Sequence, residues 1–235
     1  MSIQSTVRMD WKCSKNRSYA KTICRTSSQA ESFAMLHFLQ RKKENFIILM
    51  MRVCQSIIEV DIGGILAMNR ITTMINNIAE DVIDTYDIHI PIHDMNDVVT
   101  MLGGCIEENN GVCDSAIKKQ NDGFVIYIPS SYSAERKQFA IAQELGHLFL
   151  HMGYKISQKL WDKQKNMVYY ESKSPLEEYQ ANDFADALLM PKDIYKKVLE
   201  QYTTGNKVQT AKIAEYFGVS VSTAYSRGKS LGLLA

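Results

Sequence analysis

The first sustained helical pattern lies between Ile71 and Tyr86, where apolar residues recur at steps of three and four. A second, shorter helix is predicted over residues 93–102, because a Gly-Gly pair follows it and glycine commonly ends helices. Residues 1–66 mix basic, Ser-rich and isolated apolar stretches without a comparable period. We therefore do not expect this first segment to join the folded core.

Short apolar runs bounded by turn-forming residues predict three strands, at 105–108, 113–117 and 123–129. The third contains Phe-Val-Ile-Tyr-Ile, and such β-branched and aromatic residues favour strands. A helix then begins after Ser133, whose side chain can cap the first turn, and it runs to about Met152.

The rest of the chain is predicted to be a loop followed by helices. Residues 153–175 are of mixed polarity and are predicted to form a long loop. Helices are predicted at 176–190 and 192–202, with Pro191 ending the first and starting the second. Two further short helices are predicted within 209–234.

The helix that follows Ser133 carries an apolar stripe and a polar stripe. The polar side chains share one helix face because they lie four residues apart: Gln143, His147 and His151, with Glu144 beside them. The run Gln-Glu-Leu-Gly-His differs at its first position from the zinc-protease signature His-Glu-x-x-His. In that signature, two histidines hold the zinc ion and the glutamate removes a proton from a zinc-bound water.

A zinc site of this kind needs a third protein ligand from elsewhere in the chain. The best candidate is Glu178. Small residues lie one and two turns further along its predicted helix and permit a close approach to the metal helix: Ala181, Asn182 and Ala185. The neighbouring Glu177 would point about 100° away around the helix.

Three segments together resemble the ImmA/IrrE family of metallo-endopeptidases, which is often found in phage and mobile-element regulation. They are residues 136–151, Glu178-x-x-Ala-Asn-x-Phe-Ala and Leu188-Leu-Met-Pro191. The resemblance extends from about residue 70 to the end of the sequence. It implies an α+β, zincin-like fold with a small mixed sheet, a central metal-site helix and a helix-turn-helix-like C-terminal segment.

The hydrophobic pattern and the resemblance together predict a division of the chain. Residues 1–66 form a basic N-terminal segment, 67–203 a metallopeptidase-like domain, and 204–235 the helix-turn-helix-like segment. Met68 stands directly before the first periodic helix. We hypothesise that Met68 is the natural start and that the preceding segment is an artefact of start-site choice. An intact mass of the native protein that includes earlier residues would overturn this hypothesis.

The family's functional residues carry over position by position. Glu144 would be the general base, His147 and Glu178 zinc ligands, and Gln143 would stand where the family has the first ligand histidine. The implied activity is that of a zinc-dependent (Zn2+) endopeptidase acting on a repressor-like protein, because some members cleave or deplete a repressor. We expect the strand at 123–129 to lie beside the cleft and to pair with an extended substrate.

Gln143 leaves several interpretations open. Its carbonyl oxygen reaches about as far as an imidazole nitrogen and is also neutral, so size and charge permit zinc. An amide oxygen is a weaker zinc donor than imidazole, however. The chain is therefore either an active zinc endopeptidase or a pseudoprotease that binds a regulator without cutting it. A third arrangement, with His147 and His151 as the chelating pair, would leave Glu144 on the wrong side of the ion. We favour the interpretation that His151 is a buried, hydrogen-bonded helix residue.

The C-terminal segment has the spacing of a helix-turn-helix, with Ser220 as the cap of its second helix. Only Arg227 and Lys229 are basic on that second helix. Gly228 between them weakens the helix by about 1 kcal/mol relative to alanine. We favour packing or substrate docking for this segment, and a DNA-associated regulator stays as a further hypothesis.

Composition is that of an ordinary globular protein, with 46% hydrophobic and 23% charged residues. The net charge is +1, but residues 1–45 hold nine Lys or Arg against three Asp or Glu. Five cysteines, an odd number without a CxxC pair, predict free thiols and a cytoplasmic location. The most apolar run, residues 46–66, contains Arg52, Glu59 and Asp61, so no membrane span is predicted.

Overall fold

A computed structural model describes residues 64–110, 114–164, 168–169 and 174–234 of the chain. The helices within them are α1 (Gly64–Tyr86), α2 (Met95–Leu102), α3 (Ala134–Leu150), α4 (Gln158–Lys163), α5 (Pro175–Leu189), α6 (Lys192–Gln201), α7 (Thr210–Phe217) and α8 (Val221–Ser230). The strands are β1 (Gly104–Asn109), β2 (Ala116–Gln120), β3 (Gly123–Pro129), β4 (Val168–Tyr169), β5 (Thr203–Thr204) and β6 (Lys207–Val208). Most of the predicted N-terminal segment lies outside the described residues, as does Cys113. None of the helices in the described ranges has both the length and the apolar character needed to cross a membrane.

Local sequence signals place several of these elements. Ser133 Oγ accepts a hydrogen bond from the backbone N–H of Arg136 and caps α3 as predicted. Helix α2 ends at Gly103, whose φ of 93° is a left-handed conformation that favours glycine. Strand β3 has the predicted bounds.

The prediction of a continuous loop over residues 153–175 was wrong, because α4 and β4 lie within it. Ser157 caps α4 by accepting a hydrogen bond from the backbone N–H of Leu160. Trp161 on α4 is buried and packs edge-on against Tyr154, with ring centroids 4.8 Å apart. A short helix without sustained periodicity is thus held by one aromatic anchor, which a periodicity argument cannot detect.

The main sheet is small and mixed, as predicted, with strand order β1-β3-β2-β4. Strands β1 and β3 are parallel, whereas β2 is antiparallel to both β3 and β4. Strand β3 is therefore an interior strand, and Phe124, Val125 and Ile126 on it are buried. The expectation that residues 123–129 pair with substrate was wrong, because β1 and β2 already use the hydrogen-bonding groups on the two edges of β3.

Helix α3 packs between the sheet and α5. A Cβ atom added to Gly146 would lie 2.9 Å from the carbonyl oxygen of Ala181 and 3.0 Å from its Cα. The two helices therefore approach closely at this point, as the small residues of α5 predicted. The absence of a side chain at Gly146 on α3 is equally necessary for this approach.

The C-terminal helices pack against α6. The hydroxyl of Tyr195 donates a 2.6 Å hydrogen bond to the carbonyl of Ala224, and its ring stacks on Phe217 with centroids 5.9 Å apart. Gly218, at φ 65°, makes the turn between α7 and α8. This segment has the helix-turn-helix-like form that the sequence predicted, and it contributes buried side chains to the same core.

Candidate metal centre

Two side chains of the polar stripe of α3 lie in the interior of the protein. Glu144 is 1% exposed and His147 is 0% exposed, although both lie on a helix whose other buried residues are mostly apolar. Burying a carboxylate or an imidazole is costly unless hydrogen-bond partners compensate for the lost water. The partners of these side chains therefore define the site.

Glu178 on α5 lies against two side chains of the α3 stripe. Its Oε2 accepts a 2.8 Å hydrogen bond from Gln143 Nε2, and its Oε1 is 3.4 Å from His147 Nε2. Its side chain remains 36% exposed, so the site reaches solvent on this side. The structure thus brings together three residues that the sequence assigned to metal binding.

Glu177, the neighbouring carboxylate, has a different role. Its Oε2 accepts a 2.9 Å hydrogen bond from the backbone N–H of Ser174, while Ser174 Oγ accepts from the N–H of Glu177. This reciprocal pair is a capping box at the start of α5. Glu177 is therefore engaged in capping the start of α5, whereas Glu178 is the carboxylate that contacts α3.

Ser115 is a site residue that sequence reasoning missed. Its hydroxyl donates a 2.8 Å hydrogen bond to Oε1 of Glu144, the candidate general base. Ser115 directly precedes β2, so the sheet positions this hydroxyl against α3. No sequence signal could have selected it, because the pairing depends on the packing of α3 against the sheet.

Gln180 was also missed, and His151 has a more specific place than the sequence indicated. Nδ1 of His147 lies 3.0 Å from Nδ1 of His151, and Nε2 of His151 lies 3.0 Å from Oε1 of Gln180. His151 is thus a hydrogen-bonded partner of His147. Gln180 is two residues from Glu178 and therefore about 200° away from it around the helix. Helical periodicity alone therefore does not predict that both residues belong to one site.

Residues 111–228 match the Peptidase M78 family, described as the IrrE N-terminal-like domain. This range is half of the chain and includes Ser115, Glu178 and the whole polar stripe of α3. The chain belongs to the Peptidase M78 family. Its ImmA/IrrE resemblance and its mixed α+β, zincin-like fold are thereby confirmed.

The comparisons with solved structures and with curated proteins say less about this chain. A solved structure described as a Mycobacterium tuberculosis transcriptional regulator is similar to this chain with 15% sequence identity and a TM-score of 0.40. The similarity covers 67% of this chain and 46% of that one, so this chain spans less than half of the regulator's length. No curated protein matches this chain.

Two of the three ligand positions of this M78 family member fit a zinc ion. Ligands at about 2.0–2.1 Å from a tetrahedral zinc are about 3.3–3.4 Å from each other. The 3.4 Å between His147 Nε2 and Glu178 Oε1 matches this spacing. The third position differs, because Gln143 turns its amide N–H toward Glu178. Within the described residues, no group of three or more His, Cys, Asp or Glu side chains is arranged to hold a metal.

The C-terminal segment of this M78 protein does not present both of its candidate DNA-binding residues. Arg227 is 2% exposed. Its Nε donates a 3.1 Å hydrogen bond to the carbonyl of Met190, and its Nη2 donates a 2.7 Å hydrogen bond to Asn76 Oδ1. Its guanidinium thus joins α8 to the interior of the domain. Lys229 is the basic residue of α8 that remains exposed.

Proposed function

We propose that this protein is a zinc-dependent endopeptidase-like protein that acts on a repressor-like or other regulatory protein of a phage or mobile element. The observation that carries the proposal is the 3.4 Å spacing of His147 Nε2 and Glu178 Oε1 on two closely packed helices. Glu144 lies on the same helix as His147, at the general-base position of the family signature. Membership of the M78 family supports the class of reaction.

His147 and Glu178 would hold the zinc ion, and Gln143 would supply a third ligand through its carbonyl oxygen after its amide turns over. When bound, zinc would polarise the scissile carbonyl and acidify the attacking water. Glu144 would take the proton from that water and pass it to the leaving amine. The hydroxyl of Ser115 holds one carboxylate oxygen of Glu144 and so fixes the rotation of that carboxylate.

A second function, a pseudoprotease that binds a regulator without cutting it, is favoured by a separate observation. The amide of Gln143 donates a 2.8 Å hydrogen bond to Glu178, which provides one oxygen of that carboxylate with a donor that is not a cation. A histidine at this position would be a ligand of the same zinc ion as Glu178. The substitution therefore replaces a ligand with a hydrogen-bond donor.

One experiment separates these two functions. Zinc content and cleavage of a candidate repressor are measured for the unchanged protein, for Gln143→His and for Glu144→Gln, with exposed Gln201→His as the matched control. Zinc in the unchanged protein, together with cleavage that Glu144→Gln abolishes, supports the endopeptidase. If only Gln143→His binds zinc and cleaves, the unchanged protein is the pseudoprotease.

Two further proposals concern the location of the protein and the role of its C-terminal segment. We propose a cytoplasmic location because the odd cysteine count implies free thiols. For the C-terminal segment we propose packing or substrate docking, since burial of Arg227 removes one of the two cations of α8 from any DNA contact. Retention on DNA that is lost on deleting residues 209–235 would overturn that assignment.

A further inference from the structure

A continuous line of polar contacts runs from α5 through both histidines of α3 and returns to α5. Gln180 Oε1 is 3.0 Å from His151 Nε2, His151 Nδ1 is 3.0 Å from His147 Nδ1, and His147 Nε2 is 3.4 Å from Glu178 Oε1. Gln180 is 4% exposed and His147 is 0% exposed. Water is therefore largely excluded from these two side chains, whereas Glu178 at the other end of the line is partly exposed.

The orientation of the Gln180 amide, with its oxygen facing His151, gives the line one direction. An amide oxygen can only accept, so in this orientation Nε2 of His151 carries the proton that it donates to Gln180. A neutral imidazole has one N–H, which leaves Nδ1 of His151 as an acceptor. Nδ1 of His147 must then be the donor, and Nε2 of His147 is left with a lone pair directed to the Glu178 side of the site.

We propose that His151 and Gln180 are positioning residues that hold His147 in the tautomer with a proton on Nδ1 and a lone pair on Nε2. This inference deepens the proposed function, because the lone-pair form is the one in which an imidazole nitrogen binds zinc. Ligand histidines usually donate their second ring N–H to a carboxylate, a carbonyl or a water. Here that place is taken by a second histidine.

The second histidine makes Gln180 decisive. A carboxylate or carbonyl next to His147 would set the tautomer by itself, but an imidazole can either donate or accept. The direction is set only by the residue beyond His151. If the amide of Gln180 turned its NH₂ toward His151, the protons would shift along the line and Nε2 of His147 would carry the hydrogen. A residue two hydrogen bonds from the ligand thus decides whether the ligand nitrogen is available.

The first test measures the tautomer directly in the metal-free full-length chain. Proteins with 15N-labelled histidine are compared by two-bond 15N–1H correlation at about pH 8, where a histidine of ordinary pKa is neutral. We expect the unchanged protein and Gln180→Glu to show His147 with protonated Nδ1 and unprotonated Nε2, because a carboxylate can only accept. Gln180→Leu should give a mixture of both tautomers, and exposed Gln201→Leu should match the unchanged protein.

Two results would overturn the inference. One is a proton on His147 Nε2 in the unchanged protein, and the other is an unaltered tautomer in Gln180→Leu. Circular dichroism of each variant verifies that it is folded. If Gln180→Leu fails to fold, His151→Phe replaces it, with exposed His89→Phe as its control, and an unaltered His147 tautomer in that variant would be equally contrary.

The second test measures zinc affinity by competition with a chelator, in the unchanged chain or, if that chain binds no zinc, in Gln143→His. Gln180→Leu should lower the affinity by roughly 10- to 100-fold, the usual effect of losing the partner of a ligand. Gln180→Glu should retain the affinity, and Gln201→Leu should leave it unchanged. Equal affinities for Gln180→Leu and Gln201→Leu would contradict the positioning role. If neither parent chain binds zinc, the proposed function fails, and the tautomer measurement still decides the inference.

Discussion

Gln143 Nε2 lies 2.8 Å from Glu178 Oε2, so the residue at the first ligand position donates a hydrogen bond to the residue at the third. These two positions would normally be joined through a metal ion. For Gln143 to become a ligand, its amide must turn over and give up this bond. The energy of that hydrogen bond therefore opposes zinc binding, in addition to the weaker donor strength of an amide oxygen.

Gln143→His should raise zinc affinity by at least about tenfold, because imidazole is the better donor and the competing hydrogen bond from the amide is removed. Competition with a chromophoric chelator measures the change. Gln201→His, which adds a histidine at the exposed end of α6, should leave the affinity unchanged. Equal affinities of the Gln143→His and unchanged proteins would show that Gln143 is not at the metal position.

Ser115→Ala should lower the free energy of unfolding by about 1–3 kcal/mol, since a buried carboxylate loses a hydrogen-bond donor. Urea denaturation measures the change. In a Glu144→Gln background the same substitution should cost less, because hydrogen bonds to neutral acceptors are weaker than those to charged ones. An equal cost in both backgrounds would mean that Ser115 acts independently of the Glu144 charge.

Gly146→Ala should destabilise the protein by about 1–3 kcal/mol, because the new methyl group would overpack the contact between α3 and α5. Its Cβ would lie 3.2 Å from the Cβ of Phe184, as well as close to the backbone of Ala181. Helix propensity alone would stabilise the variant by about 1 kcal/mol. The sign of the change in urea denaturation therefore distinguishes the two effects, and a stabilised variant would contradict the close approach.

Arg227→Met should destabilise the protein by about 3–5 kcal/mol, the typical effect of removing one partner from a buried charged cluster. The substitution removes the hydrogen bonds to Met190 and Asn76 and the positive charge near Asp183 and Asp186. Lys229→Met on the exposed side of the same helix is the matched control, expected within about 0.5 kcal/mol of the unchanged protein. Similar denaturation midpoints for the two variants would contradict the buried role of Arg227.

Asp186 should make stability depend on pH. Burial raises the pKa of its carboxyl from 3.8 to about 7, against the opposing effect of Arg227. Between these values the folded state holds a proton that the unfolded state has released, so the free energy of unfolding falls as pH rises from about 4 to about 7. Denaturation across this range should show the fall, and Asp186→Asn should reduce it. An unchanged slope in Asp186→Asn would assign the effect to another group.

Neighbouring residues in the sequence were sufficient to predict much of the fold. The bounds of β3, the cap of α3 and the end of α2 depend on side chains within a few residues of the position concerned, so they could be predicted correctly. Helix α4 could not, because it depends on Trp161 packing against the core and has no periodic pattern of its own. The interior position of β3 likewise depends on which strands pair with it, and the sequence does not specify those partners.

The sequence by itself determined which residues share a face of α3 and which carboxylate of α5 was the better candidate ligand, because helical periodicity is a local property. Only the tertiary structure decided that Gln143 donates to Glu178, that Ser115 holds Glu144, and that Gln180 lies beyond His151. These pairs are distant in sequence or lie on opposite sides of one helix, and the packing of α3 against α5 and the sheet brings them together. Periodicity predicts the direction in which a side chain points, whereas its partner is determined by what packs on that face.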